Sequence, residues 1–433
     1  QGWFDLHQYR IDPAASPVMH WSRIVDVPIA LAMLLLRPLF GPELGDHIAV
    51  VLVPLFTLLV LMAVAGRMAF RLFDREVATF ACLSIGFSPL LLMQLQPLRI
   101  DHHGWQIVCF LAATSALMHR DPRRGGAVAG MAVAIGLSIS LEVLPLAAII
   151  GAVLLLRWLR DPAQRWWLPS FLLALAGTIA ALFVATRGLG DLSAHCDVAS
   201  PIHIAFLGIV AVASAAIAAI PRLPRWAILA LLGAAGLGGI ALFAHAAPQC
   251  LGGPFGNLDP VVRQYWYNNV LEGRPIWVQP AAFAFAPALQ GIIAVAAVFQ
   301  LWRTSQGERR IWWFDHLLLI AGTFCLGLLV WRSMAFVGAL AAVPVGWLLA
   351  RLLATFRTAD RPARRMGAAF AGLIVLMPTS PVAMAATLMP NVVGGAAALR
   401  ESGCKLRQSA DALDTLPRAT IFAPIDIGPG LLL

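Results

Sequence analysis

About a dozen apolar runs follow one another along this 433-residue chain, and most of them are about 20 residues long. A helix of that length crosses the roughly 30 Å hydrocarbon core of a bilayer. Only 12% of the residues are charged and the mean hydropathy is +0.80, whereas soluble domains contain about 25% charged residues. Because backbone polar groups in lipid must be hydrogen-bonded within a segment, the sequence predicts an all-α, polytopic transmembrane helical bundle.

The apolar runs predict about 12 membrane spans. They lie at residues 46 to 66, 77 to 95, 105 to 118, 126 to 141, 143 to 156, 167 to 186, 203 to 220, 226 to 246, 282 to 301, 312 to 330, 334 to 350 and 367 to 386. Before them, aromatic and charged residues lead into a short apolar run from His20 to Met33, which predicts an interfacial helix on the outer leaflet. Another span is the alternative for this segment.

We therefore divide the chain into three parts. Residues 1 to 45 form a first external loop with the interfacial helix, residues 46 to 386 form the transmembrane domain, and residues 387 to 433 form an external segment. The chain begins within a polar loop and ends without a polar terminus, so we expect a fragment that lacks at least one N-terminal helix and is truncated at its C-terminus as well.

Arginine distribution predicts the orientation of the bundle. Clusters of arginine occupy six short connections that alternate with connections of the other side: 67 to 75, 120 to 124, 157 to 165, 222 to 225, 303 to 310 and 351 to 365. The positive-inside rule marks this side as cytoplasmic. We expect a bacterial inner (plasma) membrane, with the functional groups facing the periplasm or exterior. The net charge of +9 is dispersed over these connections, so nucleic acid is not an expected partner.

A short polar segment, Arg99-Ile100-Asp101-His102-His103, lies between the second and third predicted spans. Placing Arg99 or Asp101 at the bilayer centre would cost about 2.5–3.5 kcal/mol each, so we place both at the aqueous edge. A carboxylate and two imidazoles can share a divalent metal, and we predict Asp101, His102 and His103 as its ligands. Mn²⁺ or Mg²⁺ suits a site that handles phosphate oxygens, and the imidazoles favour Mn²⁺. A polar turn without a ligand is the alternative.

Two further charged groups are predicted at the same face. Arg332 follows an apolar run, and its planar guanidinium matches a phosphate or diphosphate carried on a lipid; snorkelling at a helix end is the alternative. Glu272 lies in an aromatic loop between about 247 and 281. We predict Asp101 and Glu272 as catalytic residues, and Arg332 and Arg99 as donor-phosphate ligands.

Four other residues are candidates for contact with an acceptor or a sugar. Tyr265 and Trp266 belong to the aromatic loop, where ring stacking on sugars is one interpretation and an ordinary aromatic-rich amphipathic loop at the interface is the alternative. Asp5 lies in the first external loop. Glu142 is a carboxylate at the junction of two short spans, and a structural role is its alternative.

Three of the six cysteines, Cys196, Cys250 and Cys404, fall on the predicted outer face. An oxidising compartment permits a disulfide between Cys196 and Cys250. The third outer cysteine, Cys404, leaves the pairing open.

In order along the chain, these motifs resemble the catalytic subunits of oligosaccharyltransferases and, more widely, GT-C glycosyltransferases that use lipid-phosphate sugars. The stretch Gly2-Trp3-Phe4-Asp5 and the segment up to Asp26 are similar to the later part of that family's first external loop. Asp101 and His103 occupy the positions of its acidic metal motif, with histidine in place of one acid. The family's catalytic first-loop aspartate would lie upstream of Gln1.

The second half of the chain extends the resemblance. Asn269-Val270-Leu271-Glu272 is similar to the family's short Ser-Val-Ser-Glu motif, which implies that Glu272 connects metal and acceptor. Arg332 stands where the family presents an arginine to the donor pyrophosphate. The soluble C-terminal domain with its Trp-Trp-Asp motif has no counterpart in residues 387 to 433, so a glycan or lipid acceptor is as admissible as a protein.

The leading hypothesis is a membrane glycosyltransferase that transfers a sugar or glycan from a polyprenyl-phosphate or polyprenyl-diphosphate donor to an acceptor at the outer face, with membrane lipid as its surroundings and a divalent metal as cofactor. A polytopic transporter or lipid flippase is the alternative from another class, although transporters place substrate near the midplane, often within repeats. A membrane scaffold without chemistry is the third reading.

Overall fold

The computed structural model describes residues 2 to 9, 16 to 256 and 258 to 388, and all bounds below refer to this part of the chain. The α-helices are α1 (Asp26–Phe40), α2 (Pro42–Leu72), α3 (Arg75–Ile85), α4 (Pro89–Leu95), α5 (His103–Ala116), α6 (Pro122–Ile139), α7 (Leu144–Arg160), α8 (Trp167–Arg187), α9 (Pro201–Ala219), α10 (Arg225–Ala246), α11 (Pro260–Tyr265), α12 (Ala281–Thr304), α13 (Gly307–Leu329), α14 (Met334–Thr358), α15 (Pro362–Leu376) and α16 (Ser380–Leu388).

The chain forms two compact units, and the predicted site residues other than Asp5 lie in the larger one, residues 21 to 382. In the smaller unit, His7 and Val18 form an antiparallel bridge, and the Asp5 carboxylate contacts the His7 ring and the Tyr9 hydroxyl. From residue 389 onward the predicted external segment, including Cys404, lies outside the described residues.

The predicted all-α, polytopic fold is confirmed, since a helix or helix pair covers each predicted span. Eight helices are long and apolar enough to cross a membrane, or nine if the bent pair α3 and α4 is one span. This count covers the described residues and uses length and composition alone. The total of about 12 spans therefore stays a prediction.

Two predicted spans are broken rather than continuous. The segment predicted at residues 77 to 95 consists of α3 and α4, which are bent by 67°. Pro89 begins α4, and Ser88 before it has an extended backbone (φ −75°, ψ 118°) because the proline ring disfavours helical dihedrals in the preceding residue. The segment predicted at 367 to 386 is likewise divided between α15 and α16, around Pro378.

Close helix packing builds the core of the larger unit. Where α6 meets α8, a Cβ added to Gly130 would lie 2.2 Å from the carbonyl oxygen of Phe171, and one added to Gly126 would lie 2.5 Å from that of Trp167. Glycine is therefore required for this approach, as at small-residue interfaces of other membrane helices. α14 is the most enclosed of the long helices, with 67% of its most apolar window buried.

Helix α1 has no buried residue. Its 15 residues extend over about 22 Å, which is less than the hydrocarbon thickness. Leu34, Leu35 and Leu39 are 66%, 71% and 73% exposed, an arrangement that favours contact with lipid. The interfacial position of this helix stays a prediction, and its length favours that position over a span.

A disulfide joins Cys196 to Cys250, with Cα atoms 5.0 Å apart. The bond connects the segment after α8 with the turn Pro248–Gly252 after α10. It thereby closes a loop of 54 residues that contains α9 and α10. The sequence permits this pair and leaves pairing of either cysteine with Cys404 open. The structure contains the Cys196–Cys250 pair.

We expect the Cys196→Ser variant to be less stable than the parent by about 2–4 kcal/mol. Loss of the cross-link raises the conformational entropy of the unfolded chain and therefore favours unfolding. Thermal unfolding in detergent, with and without reductant, measures the difference. The control is Cys325→Ser, which removes an exposed free thiol and should leave the reductant effect unchanged. Identical unfolding temperatures of the parent with and without reductant would contradict the prediction.

Candidate active site

Six side chains of the larger unit form a closed ring in which acidic and basic groups alternate. In order around the ring they are Asp101, His103, Glu142, Arg332, Glu272 and Arg99. They come from four separate parts of the sequence, and each contacts its two neighbours.

His103 and Arg332 connect three carboxylates of the ring. The Nδ1 atom of His103 lies 3.1 Å from Asp101 Oδ1, and its Nε2 atom lies 3.5 Å from Glu142 Oε2. Neither contact has hydrogen-bonding geometry, so both are electrostatic. Arg332 Nη2 donates to Glu142 Oε1, and its Nη1 lies 3.8 Å from Glu272 Oε1.

Arg99 closes the ring. Its Nη2 atom donates to Glu272 Oε2 at 3.4 Å, and its Nε atom donates to Asp101 Oδ2. Asp101, Glu272 and Arg332, which the sequence predicts at one face of the membrane, therefore lie in one connected cluster. Arg99 is bonded to two carboxylates in this arrangement.

The segment before α5 positions Arg99, Asp101 and the two histidines. Asp101 Oδ1 accepts a hydrogen bond of 3.1 Å from the His103 backbone N–H, a local bond typical of aspartate at a chain reversal. Leu98 has a φ of 71°, which is uncommon for a residue with a branched side chain, and its N–H donates to Val50 in α2. The backbone just before the site is therefore held in an uncommon conformation by a hydrogen bond to α2.

Three single helical turns carry the other ring members. Glu142 lies in Leu141–Val143 before α7, Arg332 in Trp331–Ser333 before α14, and Glu272 in Leu271–Gly273. The Trp331 N–H donates to the Arg274 carbonyl at 3.0 Å, which holds the turn of Arg332 beside the turn of Glu272. Three short turns, two of them at the starts of α7 and α14, therefore place these long side chains together.

His102, His103 and Glu142 form a group of metal-ligand type, with one ligand atom from each within 4.8 Å of the others. The Nε2 atom of His102 and both ring nitrogens of His103 are buried without a hydrogen-bond partner. Two imidazoles and a carboxylate are suitable ligands for Mn²⁺ or Zn²⁺. The residues present therefore fit a divalent metal.

The two histidines differ in protonation. Burial alone would lower the pKa of His103, but the Asp101 and Glu142 carboxylates raise it to about 9, so metal binding would displace a proton from this ring. Burial and the charge of His103 lower the pKa of His102, which precedes α5, to about 4, so its ring is neutral near pH 7 and has a free lone pair. Burial alone would raise the pKa of Asp101, but the neighbouring His103 and Arg99 lower it below its usual value. Asp101 thus stays ionised.

The predicted metal set and the observed group share His102 and His103. Asp101 contacts His103 and Arg99, and the third member of the group is Glu142. The sequence indicates Glu142 only as an acceptor contact or a structural carboxylate. Its position at a break between two apolar runs is the one signal in the sequence that could have pointed to the site.

Tyr265 and Trp266 lie at the end of α11. Trp266 packs edge-on against Phe255 with ring centroids 6.2 Å apart, and Tyr265 is 71% exposed. An exposed ring remains accessible for stacking. The predicted contacts of these two residues with an acceptor stay a prediction, as does that of Asp5.

Comparison with solved structures shows the class of fold: the chain has the GT-C fold of oligosaccharyltransferases. It is similar to the Archaeoglobus fulgidus oligosaccharyltransferase tethered with an acceptor peptide containing the NVT sequon, with a TM-score of 0.61 and 14% identity over 86% of this chain and 48% of that one. The predicted resemblance is confirmed at the level of the fold.

Two further structures of the archaeal enzyme match. Archaeal oligosaccharyltransferase AglB from A. fulgidus in complex with an inhibitory peptide and a dolichol-phosphate has a TM-score of 0.59 and 15% identity over 87% of this chain and 48% of that one. The complex with Zn and sulfate has a TM-score of 0.56 and 14% identity, over 86% and 45%. The chain thus spans about half the length of these structures. No protein-family profile and no curated protein matches the sequence.

Proposed function

We propose that this chain is the membrane part of a glycosyltransferase that transfers a sugar or glycan from a polyprenyl-phosphate or polyprenyl-diphosphate donor to an acceptor at the outer membrane face. The observation that carries the proposal is the closed ring of Asp101, His103, Glu142, Arg332, Glu272 and Arg99. An arginine beside a group of metal ligands is the charge arrangement that a departing phosphate requires.

Each group has a proposed role. Arg332 binds phosphate oxygens of the donor through its guanidinium, exchanging part of its contact with Glu142. His102, His103 and Glu142, with Asp101 beside them, would hold a divalent metal, Mn²⁺ being our choice; when bound, it would neutralise charge on the phosphate. Asp101 and Glu272 orient the acceptor group. Arg99 holds these two carboxylates together, and a direct contact with phosphate is its second proposed role.

The comparisons support the donor class and the membrane location in general terms. The A. fulgidus enzyme was solved with a dolichol-phosphate and with peptides, which supports a lipid-linked donor here. The eight long apolar helices support an integral membrane protein. Placement in a bacterial inner membrane, with the ring toward the periplasm, is proposed from the arginine-rich connections.

Substitution of the ring tests the proposal in the full-length protein in nanodiscs. We expect Asp101→Asn and His103→Ala each to lower the rate of sugar transfer from a polyprenyl-diphosphate donor by about 100-fold, because the first removes a fixed negative charge beside the acceptor and the second removes a proposed metal ligand. We also expect His103→Ala to weaken Mn²⁺ binding by about 10-fold or more, since a ligand is lost. Initial rates and calorimetric Mn²⁺ titration measure the two effects.

The control for imidazole removal is His47→Ala, whose ring contacts the backbone carbonyl of Glu43. It should leave rate and affinity within about twofold of the parent, since surface substitutions have small effects. Transfer that persists in chelator and in both ring variants would contradict the proposed function.

A further inference from the structure

Glu142 is carried by a single short turn, whereas the two histidines of the metal-ligand group lie together at the start of α5. The turn Leu141–Val143 follows α6, and Ser140 precedes it. Its own hydrogen bonds are long: Ser140 Oγ accepts from the Glu142 N–H at 3.4 Å, and the Ser140 carbonyl accepts from the Val143 N–H at 3.5 Å. Hydrogen bonds of this length are weak, so the turn by itself contributes little to the position of Glu142.

Gln106 of α5 makes a shorter hydrogen bond to the same turn. Its Nε2 atom donates to the Ser140 carbonyl at 3.2 Å. Gln106 is fully buried, with an exposed fraction of 0%, so water cannot replace the amide when it is removed. A buried hydrogen bond of this kind therefore fixes the Ser140 carbonyl relative to α5.

The same residue is connected to the two histidines. Gln106 follows His102 by four residues and His103 by three, and these spacings place the three residues on one face of the helix. The Gln106 backbone N–H donates to the His102 carbonyl at 3.4 Å. The end of α6 also packs closely on α5, since a Cβ added to Gly136 would lie 3.4 Å from the Cys109 Cβ. One side chain thus connects the helix start that carries the imidazoles with the turn that carries the carboxylate.

We propose that Gln106 is a positioning residue, which sets the distance from the Glu142 carboxylate to the two histidine rings and thereby the affinity of the site for a divalent metal. The inference rests on the proposed function, because it concerns the metal of that site. Replacement of residues that orient metal ligands typically weakens metal binding by about 10–100-fold. Among the described residues the Oε1 atom of Gln106 has no hydrogen-bond partner, so substitution removes chiefly the bond to the turn.

Titration of the full-length protein in nanodiscs with Mn²⁺ alone, followed by electron paramagnetic resonance, tests the inference without requiring sugar transfer. We expect Gln106→Met to weaken Mn²⁺ binding by about 10-fold or more, because methionine has a similar length but no donor for the Ser140 carbonyl. Gln106→Asn has an amide that is one methylene group shorter, and it should weaken binding by a similar factor. Thermal unfolding without metal shows whether each variant is folded, and Gln106→Asn gives the measurement if Gln106→Met is not.

A double-mutant cycle separates positioning from a general loss of structure. If Gln106 acts through Glu142, the double variant Glu142→Gln/Gln106→Met should bind Mn²⁺ within about twofold of Glu142→Gln alone, because the carboxylate that Gln106 positions is already absent. A general loss of structure would also displace the histidines, and its effect would then add to that of Glu142→Gln.

Two other buried glutamines are matched controls for the same substitution. Gln94 of α4 is 2% exposed and lines a small cavity together with Asp101, and its amide has no hydrogen-bond partner among the described residues. Gln290 is 7% exposed and accepts a hydrogen bond from Ser88. Neither is bonded to the turn of Glu142 in the described part of the chain, so Gln94→Met and Gln290→Met should leave Mn²⁺ affinity within about twofold of the parent.

Parental Mn²⁺ affinity in folded Gln106→Met, additive losses in the cycle, an equal loss in Gln94→Met, or no saturable Mn²⁺ binding by the parent would overturn the inference. Dependence of Mn²⁺ binding on Gln106 in a protein that transfers no sugar would refute the proposed function while supporting the inference. Where sugar is transferred, we expect Gln106→Met to raise the Mn²⁺ concentration at half-maximal rate more than it lowers the maximal rate.

Discussion

Replacement of Arg332 by glutamine is expected to lower the rate of sugar transfer by about 10²–10³-fold, the loss found when one fixed charge donor is removed from a developing anion. Arg332 is the one arginine of the ring that contacts Glu142, a member of the metal-ligand group. Its side chain is 16% exposed, so little water is present to replace it. Arg332→Lys should recover only part of the rate, because an ammonium lacks the planar fork.

Initial rates over a range of donor concentrations, with purified protein in nanodiscs, separate kcat from KM. The matched control is Arg37→Gln. Arg37 is paired with Asp46 at 2.6 and 2.8 Å but is 47% exposed, and its loss should change the rate by less than about twofold. Thermal unfolding shows whether the Arg332→Gln protein is still folded. A folded Arg332→Gln protein with the parental rate would contradict the proposed role of Arg332 in binding the donor phosphate.

Replacement of Arg157 by methionine is expected to destabilise the protein by about 3–5 kcal/mol, because it leaves a buried carboxylate without its partner. Arg157 Nε donates to Asp315 Oδ2 at 2.7 Å, and the two side chains are only 8% and 2% exposed. The guanidinium also donates to the Leu117 carbonyl at 3.2 Å and lies 4.6 Å from the Trp167 ring. The pair therefore connects α7 and α13 within the core.

Unfolding in mixed detergent micelles with increasing denaturing detergent measures the loss of stability. The double variant Arg157→Met/Asp315→Leu should recover most of it, since two apolar side chains remove both charges. The matched control is Arg357→Met, which breaks a pair with Glu76 at 3.3 Å whose side chains are 63% and 50% exposed; it should cost less than about 1 kcal/mol. Equal losses for Arg157→Met and Arg357→Met would contradict the prediction.

Arg157 also illustrates a limit of sequence reasoning. As one member of an arginine cluster it contributes to the predicted orientation, and its place in the last turn of α7 agrees with that interpretation. The sequence cannot indicate that it is buried, because its partner Asp315 is 158 residues away. Burial depends on which helices become neighbours.

The candidate site likewise has some features that could be predicted from the sequence and others that could not. Asp101, Glu272 and Arg332 could be predicted together because span counting assigns each to the same membrane face and because the motif order resembles a known family. The sequence could not predict that Glu142 belongs to the metal-ligand group. It also could not predict that Gln94 is a buried amide without a hydrogen-bond partner beside a cavity. Both properties arise from distances between helices, which no spacing along the chain encodes.

The sequence by itself determined the all-α membrane fold and the approximate helix boundaries, because the transfer of apolar side chains into lipid and the hydrogen bonding of the backbone are local properties of each segment. Only the tertiary structure decided the break between α3 and α4 as a 67° bend, the Cys196–Cys250 pairing and the closed ring of charges. These features depend on contacts between residues far apart in sequence, and such contacts are fixed by how the helices pack.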